Sequence, residues 1–159
     1  NKVFEQIALK IYRYQLEKNP VYRQYCNLIK KTDVLILEEI PFLPIEFFKS
    51  HEVKSNTQSP EITFTSSGTT SSIVSKHHVT DLNVYNQSLD QSFETTYGAI
   101  KDYVILALLP HYLDRTGSSL VYMAQGWIND SNHPKGGFYL NKIKDLQQVQ
   151  KTFETSKQK

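Results

Sequence analysis

Cysteine, methionine and tryptophan are scarce in this sequence, with one of each among 159 residues. A lone thiol, Cys26, excludes an intrachain disulfide and suits a reducing compartment. No signal-type apolar segment follows Asn1, so the chain reads as cytoplasmic. Charge of one sign is not in excess: 18 Lys and Arg stand against 16 Asp and Glu, a formal net charge of +2. A nucleic-acid surface would show a basic stripe, and the dense spots here, Lys30-Lys31 and Lys157 to Lys159, read as solvated lysines. No apolar run approaches the roughly 20 residues of a membrane helix. The longest, Tyr103 to Pro110, has the length of a buried strand. There is no internal repeat and no low-complexity region.

What is present is an ordinary globular composition, 39% hydrophobic and 21% charged, in a chain long enough for its own core. Val3, Phe4, Ile7, Ala8, Ile11 and Tyr14 recur at helical spacing and predict a first helix with one apolar face. Asn19-Pro20 ends it and opens a second helix carrying Val21, Tyr22, Tyr25, Leu28 and Ile29. The two prolines of Ile40 to Ile45 exclude a central strand and predict an extended apolar linker packed on the body. Glu61 to Thr65 alternates as a strand does. Thr80-Asp81 predicts the cap of a helix burying Leu82, Tyr85, Leu89, Phe93 and Tyr97 and ended by Gly98. Tyr103 to Leu109, apolar without alternation, predicts a strand buried on both faces, often parallel. Ser118-Ser119 opens a helix to about Ile128, Phe138 to Leu140 is a short strand, and Ile143, Leu146, Val149 and Phe153 lie on a last helix. Strands interleaved with helices predict an α/β fold, a layered sheet with flanking helices. The expected division is a helical segment over 1–39 and an α/β part over 40–159.

The stretch Glu61 to Lys76 carries the chemistry. Gly68 stands among Thr65, Ser66, Ser67, Thr69, Thr70 and Ser71. Backbone N–H groups in a tight glycine loop form a concavity suited to phosphate oxygens, and glycine admits close approach of a ligand. The hydroxyls donate without adding charge, and Lys76 supplies one cation. The Walker spacing is absent. Read from residues alone, the same string is also that of a plain turn or helix cap.

The string Thr65 to Thr70, TSSGTT, resembles the phosphate loop of the adenylate-forming superfamily, which includes acyl-CoA synthetases and LuxE-type acyl-protein synthetases. Ile40 to Val53 and Leu109 to Met123 are similar to the segments before and after this loop in the LuxE-like branch, in the same order. Ser71 stands where many superfamily members have glycine, and Lys76 lies two residues beyond the motif's usual lysine. The resemblance implies the N-terminal part of a larger adenylate-forming domain. It implies ATP with Mg2+, a carboxylic, fatty-type acid as substrate, and a thiol on a protein or coenzyme A as acyl acceptor. Regions for adenine and ribose, and a small C-terminal domain, are expected outside these residues, which by themselves are expected to be inactive.

His111 follows Leu109-Pro110 at the end of the apolar run, where α/β sheets gather ligands. The resemblance places a polar or aromatic residue near the acyl carboxylate there; a hydrogen-bonded loop histidine is the other reading. Tyr112, Asp114 and Arg115 read as structural. His77-His78 would point to opposite faces of an extended segment, so they do not form a metal pair. No G-x-S-x-G elbow occurs, which disfavours a serine hydrolase. Cys26 reads as a buried, inert thiol. The alternative function is a non-catalytic interaction domain in which the loop is a turn and Phe42 to Phe48 face a partner.

Overall fold

Asn19-Pro20 is a helix corner with a built cap. The structure, a computed structural model, describes residues 2–67, 73–111 and 116–156. Helix α1 (Lys2–Lys18) stops before the corner, and α2 (Pro20–Leu28) starts with proline in its first turn, where a missing N–H costs nothing. Asn19 is the N-cap: its Oδ1 accepts from the Tyr22 N–H at 3.1 Å. Its Nδ2 donates to Gln15 Oε1 at 3.1 Å, and that oxygen also accepts from Ser55 Oγ at 2.9 Å. The cap is buried, so a lost partner here is not replaced by water.

The chain forms two compact units, residues 1–80 and 81–159. In the first, Tyr12, Tyr22, Cys26 and Val34 form the core, flanked by Leu9, Leu16, Tyr25, Ile40 and Leu43. The buried side of α1 is therefore Leu9, Tyr12 and Leu16. The expected apolar face (Val3, Phe4, Ile7, Ile11, Tyr14) points outward, each of its large residues about half exposed or more. Helical spacing identified the helix but not the side that packs, because both sides are apolar and Tyr12 can bury its ring only with a partner for its hydroxyl. That partner is the Lys31 carbonyl, at 3.0 Å. Tyr22 does the same to the Pro41 carbonyl at 2.6 Å. In α2, likewise, Tyr22 and Cys26 are buried whereas Leu28 is 75% exposed.

The proline segment does not pack as a whole. Ile40 and Leu43 reach the core, while Phe42 is 86% and Ile45 71% exposed. The short helix α3 (Phe47–Ser50) follows, with Phe47 edge-on to Tyr25 at 5.7 Å and stacked on His51 at 5.0 Å. Strands β1 (Ile62–Thr65) and β2 (Lys76–Val79) pair antiparallel, and α3 lies against β2.

The second unit opens with α4 (Leu82–Tyr97). Asp81 caps it, accepting from the Asn83 and Val84 N–H groups at 2.9 and 3.2 Å, and Gly98 ends it at φ +92°, a conformation that favours glycine. Phe93 is its buried anchor, within 5.4 Å of the Tyr103 ring and 4.9 Å of Trp127. A 3-10 turn (Ile100–Asp102) leads to β3 (Leu106–Ala107), which pairs parallel with β4 (Gly137–Phe138). Helix α5 (Ser119–Ser131), capped by Ser118, connects them, and α6 (Ile143–Ser156) follows. The expected strand over Tyr103 to Leu109 is confined to two residues, and Leu108 is 54% exposed, because the one strand paired with it is itself only two residues long. The fold is mixed α/β, with six α-helices and two two-stranded sheets among the described residues. None of these helices is long and apolar enough to cross a membrane.

Two stability predictions follow from the first unit. Asn19→Ala removes the α2 cap and is expected to lower stability by about 1 kcal/mol, read as a fall in the urea midpoint at unchanged slope. The second concerns alkaline pH. Burial pushes the Cys26 thiol and the Tyr12 and Tyr22 phenols above their ordinary values of 9.0 and 10.0. These groups are neutral when protonated and the native state favours that form, so their contribution is complete below pH 9 and is lost as pH rises past 9 to 10. Denaturant midpoints measured from pH 8 to 11 should fall over that interval, and Cys26→Ser should remove its early part.

Candidate functional site

Alternation along β1 and β2 sorts the hairpin into two faces. The register pairs Ile62 with Val79, Thr63 with His78, Phe64 with His77 and Thr65 with Lys76. Ile62, Phe64 and Val79 therefore share an apolar face, of which Phe64 is 3% exposed. Thr63, Thr65, Lys76 and His78 share the other, polar face. His77 lies on the apolar side, 6.4 Å from the Phe64 ring, and burial lowers its pKa below the usual imidazole value, His78 adding to the effect. His78 meets Thr63 Oγ1 at 3.0 Å on the polar side. The two adjacent histidines thus point apart, as an extended backbone requires.

Of the expected phosphate-loop residues, Thr65 ends β1, Ser66 and Ser67 follow it in the open, and Lys76 begins β2. Gly68, Thr69, Thr70 and Ser71 lie outside the described residues. The neck of the loop is well fixed. The Ser66 N–H donates to the Ser75 carbonyl at 3.1 Å, and the Ser75 N–H donates back to Ser66 Oγ at 3.0 Å. Directly opposed residues in an antiparallel pair sit about 5 Å apart at Cβ, so the tertiary structure brings Lys76 beside Thr65 although eleven positions separate them in sequence. Lys76 acts weakly on the Glu52 carboxylate, which is hydrogen-bonded to Lys54 at 2.8 Å and held below the usual carboxylate range mainly by that lysine. Lys76 itself has no ion pair among the described residues. Sequence reasoning named Lys76 but did not identify its strand; Lys76 to Val79 is too polar to announce one, and only pairing with β1 makes it so.

In the second unit, His111 lies beyond the carboxyl end of β3, with its ring edge-on to Phe138 of β4 at 5.4 Å. It borders a cleft of about 630 Å³ formed with β4, α5 and α6. Val149, already placed on the last helix, lines the same cleft with Lys135, Lys142 and Asp145, and those three were not singled out from the sequence. No signal at short range marks them, since they come from two turns and a helix. A second cleft, about 440 Å³, lies between α4 and α5, where burial first and Asp130 next raise the Asp90 carboxyl. Tyr112, Asp114 and Arg115 lie outside the described residues. Cys26 is fully buried, and burial raises its thiol against the lowering hydrogen bond of Tyr22. Among the described residues no three His, Cys, Asp or Glu side chains are grouped to hold a metal ion.

The family model for LuxE, acyl-protein synthetase, matches residues 1–113, and the chain belongs to the LuxE family of acyl-protein synthetases. The match takes in the hairpin, its loop and His111, whereas α5, β4 and α6 lie beyond it. No curated protein and no solved structure matches the chain.

The hydrogen bond at the loop neck gives a local test. Ser66→Ala removes the acceptor for the Ser75 amide, and that amide is expected to exchange with deuterium roughly tenfold faster, about 1.4 kcal/mol of local opening, while the Phe64 amide keeps its protection.

Proposed function

We propose that the chain takes part in activating a carboxylic acid with ATP, as an acyl-adenylate, for transfer to a thiol on a protein or on coenzyme A. The observation that carries this reading is the placing of Lys76 opposite Thr65 at the neck of a hydroxyl-rich loop, on the polar face of the hairpin. It is joined by membership of an acyl-protein synthetase family. In this reading Thr65, Ser66, Ser67, Gly68, Thr69, Thr70 and Ser71 form a cradle of neutral donors for the triphosphate, with Lys76 adding one positive charge. Their role is to position and to stabilise charge. Mg2+ bound with the nucleotide would neutralise triphosphate charge. His111 would stand near the acyl carboxylate.

A second reading, a non-catalytic interaction domain, draws on Phe42 and Ile45, which stand exposed in the segment before α3. Mg-ATP separates the two: only the first reading has the nucleotide raise the melting temperature.

The loop of neutral donors with one lysine is expected to hold Mg-ATP with a dissociation constant near a millimolar, about −4 kcal/mol, and no segment of these residues is assigned to adenine. Acid-dependent pyrophosphate exchange by residues 1–159 alone is expected to be absent. In the full reading frame Gly68→Val should abolish exchange and Lys76→Gln should reduce it, with the thermal melt of each variant near that of the parent. Parental exchange rates in a folded Gly68→Val protein would contradict the loop assignment.

A further inference from the structure

The cleft beyond β3 and β4 has a fixed charge pattern. Lys135 stands on the turn before β4, and Lys142 on the turn before α6. Both turns are tied to one residue: the Tyr139 hydroxyl donates to the Lys135 carbonyl at 2.7 Å, and the Lys142 N–H donates to the Tyr139 carbonyl at 2.9 Å. Tyr139 is in turn held to β3, its N–H donating to the Ala107 carbonyl at 2.8 Å. The first turn is also closed by the Lys135 and Gly136 N–H groups, which donate to His133 Nδ1 and to its carbonyl at 3.1 and 2.8 Å. A Cβ on Gly136 would come within 3.2 Å of that carbonyl, so a side chain here would crowd the turn. The two lysines therefore project from anchored backbone. Neither ammonium has an ion pair among the described residues, and Asp145 is the one carboxylate on the lining.

We propose that this cleft is the seat of a monoanionic acid with an apolar body, its carboxylate drawn by Lys135 and Lys142 and its body laid on Phe138, Ile128 and Val149. Two ammoniums against one carboxylate leave one uncompensated positive charge, which a monocarboxylate neutralises and a dianionic phosphate overshoots. The three apolar residues give a wall for hydrocarbon, and a volume of about 630 Å³ is of the size that holds small ligands. His111, fixed against Phe138, borders the same space. The inference deepens the reading of the chain as acting on an acid, by naming lysines that no motif marks.

The probe is octanoate, titrated without nucleotide into the full 159-residue chain and followed by the amide resonances of Gly136, Gly137 and Leu146. Because ATP is absent, failure of the loop assignment leaves this result untouched. Octanoate is expected to bind at least tenfold more tightly than octanol. K135Q combined with K142Q should erase that preference while leaving octanol binding and the amide spectrum intact, and Asp145→Asn should strengthen octanoate binding a few-fold. Equal binding of octanoate and octanol, octanoate affinity unchanged in the double variant, or octyl phosphate binding more tightly than octanoate would each overturn the proposal. If the double variant loses its folded spectrum, the single variants K135Q and K142Q carry the test, each expected to lose part of the preference.

Discussion

Tyr12 and Tyr22 meet edge to face, 6.2 Å between ring centres, and the layout of the first unit follows from where their hydroxyls must go. A buried phenol stabilises through its ring only if its O–H finds an acceptor, since an unpaired one costs on the order of 1–3 kcal/mol. Tyr12 finds the Lys31 carbonyl just past α2, and Tyr22 finds the Pro41 carbonyl in the proline segment. Those two bonds fold the chain after α2 back onto the helix pair. The segment then delivers α3, which lies against β2. The second unit repeats the device with other residues: Phe93 packs on Tyr103 and Trp127, the Tyr103 hydroxyl donates to the Tyr97 carbonyl, and Tyr139 holds two turns.

The hairpin converts a two-residue period into a division of labour. Phe64 and Val79 anchor one face in apolar surroundings, and the opposite face is left polar, with its backbone still fixed by the ladder. A loop that must present N–H and O–H groups benefits from such a neck, because donors held in place lose little freedom when a ligand arrives. Both proposals rest on this kind of placement. Ser66 and Lys76 sit on an anchored hairpin, and the cleft proposed for the acid is bounded by anchored turns.

Much of the fold was legible along the chain. The Asn19-Pro20 corner, the Asp81 and Ser118 caps, the Gly98 stop and the strand before the loop each depend on a few neighbouring residues, and each stands where local chemistry predicts it. The packed side of α1 was not legible. Val3, Phe4, Ile7 and Ile11 are the more hydrophobic set, yet they face outward, because the inner side is chosen by tyrosine geometry and by Leu9 and Leu16. Phe42 and Ile45 escaped for a related reason: only Ile40 and Leu43 of this apolar segment lie on the side that meets the core, and composition does not mark that side. The strand at Leu106-Ala107 was expected to be longer, since an apolar run records a preference for burial and not the length of the partner that pairs with it.

For the candidate site the division is sharper. The sequence by itself pointed to the acyl-protein synthetase family, which the family match over residues 1–113 shows, because the hydroxyls around one glycine, the strand before them and the lysine after them are all neighbours in the chain. It also determined where helices begin and end, since caps are satisfied within three or four residues. Only the tertiary structure decided that Lys76 stands across from Thr65, and that His111, Lys135 and Lys142 border one cleft. Those juxtapositions are made by the register of β1 on β2 and by the parallel pairing of β3 with β4, continued where the Tyr139 N–H donates to the Ala107 carbonyl, and pairing at that range leaves no pattern along the chain itself.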